Sequence, residues 1–363
     1  MRRSVDTADL ASRLGTVDQP FVVGVREPAE FSDWSIPSAV NIPLNELSER
    51  LAEVPTEREV VTVCGSGSRS AAAADLLESA GRNVADLVGG MAAWGETYDS
   101  VTLRLGAVAV VQVRRRGKGC LSYLVGSGDT AFAVDPSLDT AVYRDLAADH
   151  GWTITRVFDT HLHADHLSGA RALSAETGGS LHLNPADTFD FSYQALVDGD
   201  RYELPGGTGF AVAAMTAPGH TGGSTVFVVG DEAVLSGDTL FVESVGRPDL
   251  ADRAEEFARN LYRSLRDKVL ALPDAMVVLP AHYGEGVLVV PAQPVCARLG
   301  DLRSALAPLA FDEDEFVAWA TEQSTPRPPN YAEIVEVNMG RASMAADQLR
   351  QLERGPNRCS VSR

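Results

Sequence analysis

The chain has 363 residues, 45% of them hydrophobic, and a formal net charge of −19. That length exceeds one ordinary domain and calls for two cores, while the acidic balance repels nucleic acid and anionic membrane surfaces and excludes partners that need a broad basic face. The longest apolar runs, such as 107–111, fall far below the ~20 residues of a spanning helix, and Arg2 and Arg3 precede no apolar signal segment, so a soluble cytoplasmic protein is expected.

In chain order, a helix is predicted over 6–14, strands over 21–25 and 60–63, and an alanine-rich helix over 70–80, which makes a small α/β domain at 4–96. The polar stretch 95–100 reads as a linker. A β-rich region follows, with strands at 101–105, 108–113, 121–125 and 131–134 separated by glycine-rich turns. Helices near 138–149, 166–176 and 254–271, with strands at 154–158, 210–215, 225–229 and 233–235, suggest two stacked sheets with helices outside, an αββα sandwich over 101–345. The segment 346–363 reads as a flexible tail. Arg114, Arg115, Arg116 and Lys118 fall between two strand patterns and read as a solvated hairpin turn.

Four cysteines, Cys64, Cys120, Cys296 and Cys359, lack paired spacing, so reduced thiols are expected. Cys64 opens Cys-Gly-Ser-Gly-Ser-Arg-Ser between a strand and a helix. Backbone N–H groups and the positive helix end make such a loop an anion cradle, which lowers a thiol pKa and also suits a persulfide or a sulfur oxyanion. Cys120 sits in an apolar strand and reads as core, and neither Cys296 nor Cys359 has an activating neighbour in sequence.

Residues 160–167 read Thr-His-Leu-His-Ala-Asp-His-Leu after a strand. On an extended segment His161 and His163 share a side, and Asp165 and His166 fall where the next helix is expected to begin, so four ligand-type side chains converge at a strand end. His220 in Pro-Gly-His-Thr-Gly-Gly, Asp238 in Ser-Gly-Asp-Thr and His282 in Pro-Ala-His-Tyr each follow an apolar strand too. This clustering points to a metal.

Residues 4–96 resemble a rhodanese domain on the strength of Cys64-x₄-Arg69, Arg26-Glu-Pro-Ala-Glu-Phe, Ile36-Pro, Asn41-Ile-Pro-Leu and Gly89-Gly-Met-Ala-Ala-Trp. The resemblance implies a Cys64 persulfide that accepts and donates sulfane sulfur, with Arg69 and the loop amides holding the anion. Gly24 and Trp34-Ser-Ile-Pro-Ser-Ala depart from the family pattern of Asp-Val-Arg and Gly-His-Ile-Pro-Gly-Ala. The alternative is a non-catalytic persulfide-binding or docking module.

About 101–340 is similar to the metallo-β-lactamase superfamily, all seven of whose ligand positions are matched. In its hydrolytic branch, the glyoxalase II kind, His161, His163 and His220 would hold one zinc, Asp165, His166 and His282 a second, and Asp238 would bridge them in a dinuclear thioesterase. Cys120-Leu-Ser-Tyr-Leu-Val, Pro218-Gly-His-Thr-Gly-Gly-Ser-Thr, Gly246-Arg-Pro-Asp-Leu and Pro328-Pro-Asn-Tyr resemble instead the persulfide dioxygenase family. That resemblance implies one Fe(II) per chain on His161, His220 and Asp238, a facial set suited to O₂ chemistry. His163, Asp165, His166 and His282 would orient those ligands and bind water. The reaction implied is oxidation of a thiol persulfide, such as glutathione persulfide, by O₂ to sulfite and thiol. Arg247 matches a family arginine at the thiol carrier, Tyr283 is a second substrate-binding candidate, the rhodanese side needs a sulfane-sulfur donor, and a homodimer is expected by resemblance.

Overall fold

Strands buried on both faces need no polar alternation, and 108–115 and 120–127 show none. The structure, a computed structural model, describes residues 3–205, 211–248, 253–284, 286–322, 330–357 and 359. Val108–Arg115 and Cys120–Ser127 are buried along their whole length. They are neighbours in a seven-stranded sheet that runs from Gln194–Ala195 through Ser180–Leu183, Thr153–Phe158 and Thr130–Val134 to Tyr98–Leu105. A six-stranded sheet of Arg201–Glu203, Ala211–Thr216, Thr225–Val229, Ala233–Gly237, Val277–Pro280 and Ala297–Arg298 faces it.

Val110, Tyr123, Phe132, Phe158, Phe227 and Leu279 from both sheets fill the space between them. Thr140–Asp149 and Ala170–Thr177 cover the outer face of the larger sheet. Ala254–Arg263, Leu299–Ala305 and Glu313–Glu322 cover that of the smaller. The chain therefore has the expected αββα layering behind a smaller α/β unit.

That unit is a five-stranded parallel sheet ordered Ser4–Val5, Val84–Leu87, Val60–Val63, Phe21–Gly24, Val40–Asn41. Apolar clusters lie on both of its faces, one around Leu10 and Trp94 and one around Val60 and Leu77. Trp34 Nε1 donates to Gly117 O at 2.6 Å and ties this unit to the sandwich. Among the described residues no helix is long and apolar enough to cross a membrane.

Several elements differ from the sequence reading. Residues 98–100 of the expected linker already belong to Tyr98–Leu105, paired with Val108–Arg115. The helix expected from 166 starts at Ala170 after Gly169, so the His-rich motif lies wholly in a loop. The helix expected over 254–271 changes winding at Ser264–Lys268 and again at Val269–Ala271. Phe210, Asp249, Leu250, Pro328 and Pro329 lie outside the described residues.

The basic run is not a solvated turn. Arg114, Arg115, Arg116 and Lys118 are all buried. Asp99 receives Arg114 at 2.6 and 2.9 Å and Arg116 at 2.8 Å, while Arg115 pairs with Glu353 at 2.7 Å and Glu96 at 2.9 Å. Its acidic partners come from the linker strand and the chain end, which a local charge count does not see. Where the tail is described, Ala346–Leu352 is helical, and Glu353 and Cys359 are buried.

Candidate metal centre and cysteine loop

The loop 159–168 leaves the end of Thr153–Phe158 and is held by carboxylates rather than by regular structure. Asp135, at the end of the adjacent strand with φ 53°, accepts from Thr160 N at 2.7 Å and Thr160 Oγ1 at 2.9 Å. With its proton committed to Asp135, the Thr160 hydroxyl accepts from His161 Nδ1 at 2.9 Å, which leaves the His161 Nε2 lone pair free to bind. Asp187 accepts Leu162 N at 2.9 Å, Thr221 Oγ1 at 2.8 Å and Gly223 N at 2.9 Å, and so fastens the His161 loop to the His220 loop.

His220 Nδ1 lies 2.9 Å from Arg247 O, an oxygen that only accepts, so Nδ1 carries the proton and Nε2 is the basic nitrogen. Gly246 is required here, because a Cβ would fall 1.8 Å from Asp238 O. Asp238 lies just past Ala233–Gly237 and receives His282 Nδ1 at 2.7 Å on Oδ1.

The other carboxylate oxygen, Asp238 Oδ2, lies 3.7 Å from His161 Nε2 and 3.4 Å from His220 Nε2. All three atoms are buried without a hydrogen-bond partner, and they form one of the clusters able to hold an ion. Buried polar atoms left unpaired are costly, and donors about 3.5 Å apart suit metal bonds of ~2.0–2.2 Å. Two neutral imidazoles and a carboxylate fit a metal. Burial, with His163 nearby, holds His161 well below the ordinary imidazole range, and burial lowers His220 as well. Burial pushes the Asp238 carboxyl up, but His282, bonded to it at 2.7 Å, outweighs burial and holds it ionised. Each ligand is thus in the protonation state that binds metal.

The remaining motif residues face elsewhere. His163 Nε2 lies 3.2 Å from Asp135 Oδ1 and 3.7 Å from Asp159 Oδ1, and these carboxylates overcome burial to raise its pKa well above the usual range. Asp165 lies 3.0 Å from His166 Nδ1 and 3.1 Å from His282 Nε2. With Cys120 these three form a second buried cluster. Burial pushes the Cys120 thiol up, yet His166 and His282 bring it down to about 6. Arg247 is 1% exposed and Tyr283 7%. Tyr283 packs in the core between the sheets, its hydroxyl 3.4 Å from Arg116 O.

Sequence reasoning missed Asp135, Asp187, Asn338, Glu353, Cys120 and Cys359. Asp135 carried a signal, since it follows an apolar strand as the metal-type residues do. Asn338 carried none; its Nδ2 donates to His163 O at 2.9 Å and His166 O at 2.8 Å from a helix remote in sequence. A cleft of about 610 Å³ lined by Asp33, Lys118, Asp165, Gln351 and Pro356 leads from the surface between the two domains toward the cluster.

In the smaller domain Cys64 ends Val60–Val63, and Gly67 N donates to its sulfur at 3.1 Å at the start of Ser68–Ser79. Burial raises the thiol, but the Ser70 hydroxyl and the N–H groups of Ser70, Ser66 and Gly67 prevail and lower its pKa. Gly90, at φ 57°, brings the next loop against it, where a Cβ would meet Cys64 O at 2.3 Å. Arg69 grips Glu30 through two bonds of 2.7 and 2.9 Å.

An αββα sandwich with these ligand loops along one edge defines a metallo-β-lactamase fold, and residues 115–282 match the family described as Metallo-beta-lactamase superfamily, while 6–97 match the Rhodanese-like domain. The chain thus carries a metallo-β-lactamase domain with a rhodanese-like domain ahead of it. More particularly, it is 28% identical over 240 residues to mitochondrial persulfide dioxygenase ETHE1 of Bos taurus, covering 64% of this chain and 89% of that one. The crystal structure of ETHE1 from Myxococcus xanthus superposes with a TM-score of 0.56 at 26% identity, over 64% of this chain and 99% of the other. Hydroxyacylglutathione hydrolase of Methylococcus capsulatus is 39% identical over 166 residues, 43% of this chain and 58% of the relative.

Proposed function

We propose that the sandwich domain oxidises a low-molecular-weight thiol persulfide, such as glutathione persulfide, to sulfite and thiol with one Fe(II) per chain on His161, His220 and Asp238. The observation that carries this is the grouping of the donors: His161, His220 and Asp238 converge as one possible ion site, whereas His163 groups with Asp135 and Asp159, which its Nε2 faces. The hydrolytic arrangement would need His163 among the ligands. Fe(II) bound there supplies the electron transfer that lets O₂ react with a closed-shell sulfur. The chain's own residues fix both imidazole tautomers, keep Asp238 ionised and confine the reactants in a buried cleft, which favours an intramolecular meeting. Each persulfide consumes one O₂ and one water and yields one thiol and one sulfurous acid, ionised at neutral pH.

The Cys64 thiolate takes the outer sulfur of a sulfane-sulfur donor, whose inner atom leaves with the bonding pair. An acceptor thiolate then removes that sulfur and restores Cys64. With Arg69 bound to Glu30, the loop amides carry the anion, which favours persulfide-type donors over thiosulfate. A shared persulfide makes fusion of the two domains useful through effective concentration.

A second reading, a dinuclear zinc thioesterase, is favoured by the convergence of Asp165, His166 and His282 beside Asp238 and by the hydrolase relative. Anaerobic purification, metal quantitation and an oxygen electrode separate the two. About one iron per chain with O₂ uptake on glutathione persulfide is expected; two zincs and cleavage of an acyl-glutathione would sink the dioxygenase.

A further inference from the structure

The segment 353–357 is anchored beside the metal cluster, and Cys359 reaches it. Glu353, 1% exposed, accepts Arg115 on one carboxylate oxygen and Leu167 N, at 2.8 Å, on the other. Lys118 Nζ donates to Glu353 O at 2.6 Å and Gly355 O at 3.3 Å. Asn357 donates from its backbone N and from Nδ2 to Lys118 O, both at 2.9 Å, and from Nδ2 to Tyr283 O at 3.2 Å. Arg247 N then donates to Cys359 O at 3.0 Å. Residue 247 thus holds ligand His220 with its carbonyl and the tail with its amide.

This strap leaves Cys359 2% exposed, with its sulfur in one cluster with Asp238 and His282, all ligand atoms within 4.8 Å of one another. Asp238 also has a buried carboxylate oxygen, Oδ2, without a hydrogen-bond partner. Asp238 belongs equally to the set with His161 and His220. Metal–oxygen and metal–sulfur bonds of ~2.1 and ~2.3 Å together span most of that separation.

We propose that Cys359 is a sulfur ligand supplied by the chain itself, delivered by the anchoring of residues 353–357 to the ion held by His161, His220 and Asp238. The proposal rests on the mononuclear metal reading above. One metal–sulfur bond forms, the Cys359 S–H bond breaks and its proton leaves to solvent; no electron is transferred. A substrate sulfur must then displace the tail's own sulfur, so the resting site is self-occluded and opens to ligands that bind metal better than a thiolate.

Full-length protein, prepared without metal under anaerobic conditions and loaded with Co(II), tests this. Visible bands report bound cobalt, and a near-ultraviolet thiolate-to-cobalt band reports a sulfur ligand. The sulfur band is expected in the wild type and in Cys120→Ser, and is expected to vanish in Cys359→Ser while cobalt stays bound with a dissociation constant raised roughly 10–100-fold. Asn357→Ala, which loosens the strap but keeps the thiol, should weaken the band. Bound cobalt without a sulfur band in the wild type overturns the proposal, as does a band that survives Cys359→Ser or is lost with Cys120→Ser instead. Absence of cobalt uptake, or uptake indifferent to His161→Ala, overturns the metal reading and this proposal with it.

Discussion

The cysteine loop and the metal cluster handle sulfur by opposite constructions. At Cys64 one short segment supplies everything: the thiol, the N–H groups of Ser66, Gly67 and Ser70, and the start of the helix behind them. At the metal cluster no segment is sufficient. His161, His220, Asp238 and His282 come from four loops: Asp135 sets His161 through Thr160, the Arg247 carbonyl sets His220, and Asp238 and His282 hold each other. A site made from contiguous backbone tolerates drift in the rest of the fold. One assembled across two sheets inherits every error of their packing.

The sharpest way to break this comparison is to cross two substitutions. His161→Ala should bind no stoichiometric iron and lose O₂ uptake by more than the roughly 100-fold that a supporting partner costs, while sulfur transfer continues. Cys64→Ser should abolish sulfur transfer and leave iron content intact. If Cys64→Ser also removes iron, the two sites are not independent constructions.

Glu353→Ala should follow in size. It leaves Arg115 buried with Glu96 as its remaining carboxylate, and loss of a buried partner costs about 3 kcal/mol, read as a lower midpoint in denaturant. Asp135→Asn removes the charge that orients Thr160 and His163, and isothermal titration should show metal affinity reduced about 10–100-fold.

The smallest effects belong to the loop. Alkylation of Cys64 should show a midpoint below the ordinary thiol value of ~8.5, because hydrogen bonds favour its thiolate. Glu30 is held at about 2, chiefly by its bonds to Arg69. Its folded value is depressed, so the contribution to stability is present above the unfolded carboxylate range and is lost as pH falls through that range toward about 2. With the pair over a third exposed, solvent screening keeps the effect under ~1 kcal/mol.

The contrast also explains what could be read from sequence. Cys64-x₄-Arg69 and the Val60–Val63 strand before it were legible because the site is contiguous. The seven metal-type residues were legible because they cluster in four short segments that follow apolar strands. Which of them share an ion was not, since His161 and His163 stand on the same side of an ideal strand but separate in the loop once Asp135 takes one through Thr160 and the other directly. Arg114 to Arg116 were misread for the same reason that Cys359 was overlooked: their partners arrive from distant segments.

The Asp187 carboxylate has a last consequence. By accepting Leu162 N, Thr221 Oγ1 and Gly223 N at once, it ties down the residue after His161 and the residue after His220. The distance between the two imidazoles is therefore settled by folding and not by the arrival of an ion. Chelation should leave the circular dichroism of the sandwich unchanged, and reloading should proceed at the rate of encounter, without a slow refolding phase. In this protein the seat is built before the occupant comes.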